Sequence, residues 1–136
     1  MDYTNQDSIV VTIKKMLGID YDYTVFDADI IAFINSALMS LTQLGVGPEA
    51  GFVVKDYSQT WHEFLTNKTK LEAAKQYIYL KTRLAFDPPA SSVITSYEKQ
   101  IAEIEWRLNV QAESVQKFSF VDSDDSDPYW LDERDD

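Results

Sequence analysis

Apolar residues recur along this chain at helical spacing, and the pattern is strongest between Lys68 and Asn109. In SSVITSYEKQIAEIEWRLN, the positions Ile94, Tyr97, Ile101, Ile104 and Leu108 follow at intervals of three and four, one seam of a helix. KTKLEAAKQYIYLKTRLAF carries two adjacent stripes, Leu71/Ala74/Ile78/Ala85 and Ala73/Tyr77/Leu80/Leu84. A face that wide exceeds what one partner helix covers, which predicts packing on two sides. Between the two segments stands Asp87-Pro88-Pro89. Residues ahead of proline avoid the helical region, so the first helix is expected to stop near Phe86 and the pair to fold back through a rigid corner.

Upstream, SIVVTIKKML places Ile9, Val10, Ile13, Met16 and Leu17 on one helical face with Lys14 and Lys15 outside, and Gly18 supplies a stop. Asp20–Thr24 reads as a polar-aromatic connection. In the next helix Asp27 is expected to cap the start and Asp29 to favour the positive end of the helix dipole. Ile30, Ile34, Ala37, Leu38, Leu41 and Leu44 mark its buried face, and Gly45 ends it. Gly45–Ser58 lacks helical logic: it holds three of the four glycines and a short β-prone run, Phe52-Val53-Val54, and reads as an exposed loop or small hairpin. Irregular stretches of that length often carry contacts. Thr60–Leu65 predicts a short helical turn whose Trp61, Phe64 and Leu65 close the end of a bundle. The fold class expected is all-α: a small helical bundle built on a long antiparallel helix hairpin, with a short irregular loop or β-hairpin insertion and an extended C-terminal tail.

The composition changes near residue 113. Residues 1–112 hold fourteen acidic and ten basic residues, a net −4, whereas residues 113–136 hold nine acidic and two basic, a net −7. The expected division is a helical domain over 1–112 and an acidic, extended tail over 113–136. Such a tail cannot bury enough apolar surface to order itself in water, yet it carries Phe118, Phe120, Val121, Tyr129, Trp130 and Leu131. Apolar anchors in an acidic segment suit a stretch that orders on a partner. The total of −11 should be repelled by phosphate backbones, which argues against gripping nucleic acid.

Little else points to chemistry. The chain has no cysteine, which excludes disulfides, thiolate metal sites and thiol catalysis. No long apolar run or secretory leader is visible, so an intracellular origin without a membrane span is expected. His62 is the single histidine and, with no nucleophile elbow or second histidine, reads as a partly exposed residue on a short helix. Gly45-Val46-Gly47-Pro48 lacks the lysine and preceding strand of a phosphate-cradling loop. Asp122, Asp124, Ser126 and Glu133 fit part of a calcium-loop count, but Asp127 replaces the turn glycine and Pro128 follows. No catalytic residue, metal or cofactor is expected. Glu103 and Arg107 form an i,i+4 pair on a solvated face. Trp106 stands off the Ile104–Leu108 seam and either covers the bundle edge or meets a neighbouring subunit. Tyr77 and Tyr79 point opposite ways, so one of them faces a partner. With Phe52, Val53 and Val54, these make the candidate contacts between subunits or with a partner protein.

The order of these pieces resembles a known family. TIKKMLGI precedes FDADIIAFINSALMSLTQLGVGP, then a Gly-Phe β-prone run, Trp61 ahead of Phe64-Leu65, YIYLKTRLAFDPPASSV and IAEIEWRLN. The whole, over residues 10–110, resembles the small head–tail connector, or adaptor, proteins of tailed double-stranded DNA phages. The resemblance implies a helical bundle assembled as a homo-oligomeric, typically dodecameric ring beneath the portal protein, located at the head–tail junction of the virion. Such a ring extends the DNA channel, through which DNA passes without specific binding, and offers a docking surface for a downstream connector, stopper or tail protein. It also assigns the C-terminal segment, with Phe118, Phe120, Val121, Tyr129, Trp130 and Leu131, to the portal. The competing reading of the same acidity is a DNA mimic that inhibits a host DNA-binding protein.

Overall fold

The computed structural model describes residues 7–123, with side chains placed up to residue 110. Five helices occupy the described residues: α1 Ile9–Met16, α2 Asp27–Gln43, α3 Trp61–Phe64, α4 Lys68–Phe86 and α5 Ser91–Ser123. Their ends follow local chemistry. Ser8 caps α1, its Oγ accepting from the Val11 amide and donating to the Tyr57 carbonyl. Gly18 and Gly45, at φ +83° and +84°, close α1 and α2 in a region that disfavours other residues. Thr60 and Glu63 form a reciprocal capping box on α3, and Asn67 caps α4. The α4 helix ends at Phe86, ahead of the Pro-Pro corner, as expected.

Helix α4 is the centre of the bundle, packed against α2, α5 and α1. Both predicted stripes are used: Ala74, Tyr77, Ile78 and Leu80 are buried, while Ala85 alone among the eight stripe positions is exposed. On α5, Ile101 and Leu108 are buried and Ile94, Tyr97 and Ile104 half-buried, which reproduces the predicted seam. The Phe26 ring meets the Phe86 ring edge-on at 5.2 Å, which places the start of α2 at the end of α4. Helices α2 and α5 therefore both run antiparallel to α4 and parallel to each other. The fold class is all-α, as the sequence implied.

Two expectations are corrected. Lys14 is not outside: it is fully buried. It stands four residues after Val10 and three before Leu17, on the apolar stripe itself, and the segments on either side of α2 supply oxygens for its charge. Asp27 does not cap α2. Phe26 holds the cap position without a side-chain bond, and the Asp27 carboxylate turns to Lys14 and Tyr57 instead. Of the two forms expected for Gly45–Ser58, the segment takes the loop and not the hairpin; just after it, Thr60 makes an antiparallel bridge to Ser8. The segment is largely tied down: Val46 and Val54 are buried, and the Phe52 ring lies 5.5 Å from that of Phe64. The Asn35 carboxamide accepts from the Val54 amide at 2.8 Å and donates to its carbonyl at 2.9 Å. That side chain takes the place of a strand partner, so the β-prone run is satisfied without a sheet.

Among the described residues, one buried polar side chain lacks compensation. The Thr82 hydroxyl on α4 is buried and finds no hydrogen-bond partner. Replacing both a buried hydroxyl and its cost with a methyl of the same shape is favourable when nothing bonds the oxygen. Thr82→Val is expected to raise stability by about 1 kcal/mol, read as a higher midpoint in urea denaturation with an unchanged slope.

Candidate partner-binding surfaces

The polar centre of the protomer is built around Lys14. Its Nζ lies 3.0 Å from the Tyr21 carbonyl, 2.7 Å from the Tyr23 carbonyl, 2.8 Å from Asp27 Oδ1 and 2.6 Å from the Tyr57 hydroxyl, four oxygens that share its three N–H groups. Tyr57 in turn donates to Asp27 Oδ2 at 2.7 Å. One ammonium thus joins α1, the connection to α2, the first turn of α2 and the irregular segment. Burial pulls the Lys14 pKa down, but the hydrogen bonds to Asp27 and Tyr57 outweigh it and the net shift is upward. Burial raises the Tyr57 phenol, with Asp27 adding to the rise and Lys14 opposing it. A lysine held as the ammonium has no free lone pair for nucleophilic or base chemistry. The arrangement ties segments together.

The second polar bridge joins the three long helices. Tyr77 on α4 is buried, donates to Glu105 Oε2 on α5 at 2.7 Å, and lies beside the Ser40 hydroxyl of α2. Burial, reinforced by the Glu105 carboxylate, pushes the Tyr77 phenol up to about 12. A phenol whose folded-state pKa is raised keeps its proton longer than in the unfolded chain. Its contribution is complete below about pH 10 and is lost as pH rises through about 12. Lys14, also raised, acts in the same direction on the alkaline side. Urea midpoints are therefore expected to fall steadily from pH 10 to 12, and Tyr77→Phe is expected to flatten that slope.

The predicted contact residues separate into two groups. Tyr77 and Val54 are buried within the protomer, so neither presents a side chain to a neighbour; both leave the set of outward candidates for the reasons just given. Phe52 is half-buried on Phe64, and Tyr79 is half-buried, its ring 6.5 Å from Tyr97 and its hydroxyl accepting from Arg83. Val53 and Trp106 face outward, 59% and 65% exposed. Glu103 and Arg107 pair in solvent beside Trp106. Phe118, Phe120 and Val121 fall on the part of α5 described by its backbone alone, and Tyr129, Trp130 and Leu131 lie outside the described residues. So do the later positions of the calcium-loop count, Asp124, Ser126 and Glu133. His62 is exposed, and the described residues contain no group of three His, Cys, Asp or Glu able to hold a metal. No described helix is long and apolar enough to cross a membrane.

Sequence reasoning missed Lys14, Tyr57 and Met39. Lys14 could have been found from its place on the apolar stripe. Met39 is 65% exposed on α2, and its signal is the absence of any charged residue from Ile30 to Gln43.

A family model described as "Phage connector protein" matches residues 9–115. The chain belongs to the phage connector family. The match opens on the first residue of α1 and closes within α5, so it takes in the whole packed bundle. No curated protein and no solved structure matches the chain. Within this connector, the matched region contains Val53 and Trp106, whereas Phe118, Phe120, Val121 and Tyr129–Leu131 lie past its end.

Proposed function

We propose that this connector is a structural adaptor of the phage neck, acting by docking rather than by bond-making. In this reading its copies form a closed ring, dodecameric as the resemblance implies, beneath the portal at the head–tail junction. The ring extends the DNA channel and receives a downstream connector, stopper or tail protein. The observation that carries the reading is the family match across the entire bundle. The charge of −11 supports a channel that lets DNA pass, because acidic walls repel phosphate. Residues 1–112 would form the ring body, and residues 113–136 would reach the portal through Phe118, Phe120, Val121, Tyr129, Trp130 and Leu131. Helix α5 continues through Ser123, well past the seam that ends at Leu108, which gives that segment a stiff base to project from.

Native mass measurement of the full chain, with and without portal, tests this directly. The expected result is a monomer alone and a multi-copy complex with portal. No association under any condition would overturn the adaptor reading. Deleting residues 118–136 is expected to weaken portal association while leaving the helical signal of the bundle; undiminished association would remove the tail assignment.

A further inference from the structure

Met39 on α2 and Trp106 on α5 are each 65% exposed, large hydrophobic side chains on the outer faces of long helices; among the described residues Val25, ahead of α2, is exposed to 69%. Met39 stands opposite the buried Ile34–Leu41 face, on a strip with Ala32, Ser36 and Gln43, all exposed and uncharged. Val53 borders that strip, because Asn35, one turn before Met39, grips the backbone of Val54. An uncharged strip on a chain of net charge −11 is where a second acidic copy can approach with least repulsion. Trp106 stands opposite its own helix's buried seam, with Ala102 and Lys99 on the same outer strip.

Tyr77 fixes the relative height of the two patches. Its hydroxyl bonds Glu105 and lies beside Ser40, the sequence neighbours of Trp106 and Met39. Since α2 and α5 run parallel and both pack on α4, Met39 and Trp106 sit at one level, each on the outer face of its own helix. A rotation about an axis along the helices preserves that level, so it carries the Trp106 strip of one copy onto the Met39 strip of the next. The contact is heterologous, the kind that closes a ring.

We infer that Trp106 of one copy seats on Met39, Ala32 and Ser36 of the adjacent copy, with Val53 at the edge, as the lateral contact of the ring. This rests on the adaptor reading above. Charge supports the parallel arrangement. Lys99 lies about 10 Å before Trp106 and Asp29 about 15 Å before Met39, in the same direction, so a lysine side chain spans the difference. A symmetric Trp106-to-Trp106 pairing would instead leave the α2 strip bare and could not propagate.

The natural chain has no cysteine, so single thiols can be placed without background. Full-length Met39→Cys and Trp106→Cys chains, one of them tagged, are mixed, assembled with portal and treated with a short bismaleimide. Both positions are exposed, and circular dichroism verifies that each variant is folded. The expected result is a cross-linked dimer containing one of each chain, no product from either alone, and a ladder of multimers from the double variant. Self-linking of Trp106→Cys as efficient as the mixed reaction would overturn the inference. So would a portal-bound ring, verified by native mass, that gives no mixed product; in that case the adaptor reading stands while this contact falls. Failure of the natural chain to assemble on portal would remove both.

Discussion

Lys14→Met is expected to destabilise the connector by about 3 kcal/mol. Methionine reproduces the length of the lysine stem, so packing on α1 is nearly kept. What is lost is the ammonium shared by the carbonyls of Tyr21 and Tyr23 and the Asp27 carboxylate; the single Tyr57 hydroxyl proton that remains can serve Asp27 or Tyr21 but not all three. The Lys14 side chain is 1% exposed and that of Asp27 20%, so water can compensate Asp27 in part. Removing one partner of a buried pair leaves the other uncompensated and costs about 3–5 kcal/mol; the partial exposure of Asp27 argues for the lower end. Urea denaturation measures the loss. Hydrogen exchange should place the loosening in the α1–α2 connection and around Tyr57, since Lys14 joins them. Pairing the change with Asp27→Leu is expected to recover part of the stability, because both charges are then gone. A loss under 1 kcal/mol in the single variant would show that the ammonium is dispensable.

Gly47→Ala comes next, at about 2–3 kcal/mol. Two independent effects meet at this glycine. Its φ of +90° lies where side chains are rarely tolerated, and a Cβ there would sit 2.5 Å from Cε1 of Phe64. Phe64 cannot retreat freely, because it is 2% exposed and packs against Phe52. Either the ring moves, opening a gap beneath the irregular segment, or the Gly47–Pro48 backbone shifts and disturbs buried Val46. Thermal denaturation should show the loss, and near-ultraviolet circular dichroism should show the change in aromatic packing. Gly18→Ala provides the comparison: φ is +83° but no atom lies within 4 Å of its Cβ position, so only the backbone effect remains and the cost should be smaller.

The helices were legible because each rests on strictly local signals. Periodic burial marked α2, α4 and the seam of α5, and Pro88-Pro89 marked the corner. What was not legible depends on residues distant in sequence. Lys14 looked solvent-facing because a lysine is ordinarily exposed; its burial requires oxygens from Tyr21, Tyr23, Asp27 and Tyr57, which only the folded chain assembles. Asp27 was read as a cap for the same reason: its competing partners lie thirteen and thirty residues away. Phe52-Val53-Val54 has strand propensity, and nothing local revealed that one Asn35 side chain would satisfy Val54 in place of a neighbouring strand. Among the contact candidates, the outward position of Trp106 was readable from its offset to the Ile104–Leu108 seam. Tyr77 was not, because its α4 stripe is covered from both α2 and α5. Met39 escaped notice because an exposed methionine on an uncharged strip breaks no rule of the isolated protomer.

The central claim is that this chain works as a passive ring of helical bundles in the phage neck. Cryo-electron microscopy of intact virions, at a resolution that traces α4, α5 and the Pro88-Pro89 corner, tests it most directly. The account predicts this bundle repeated around the DNA channel directly beneath the portal; a neck traced completely without this chain would contradict it.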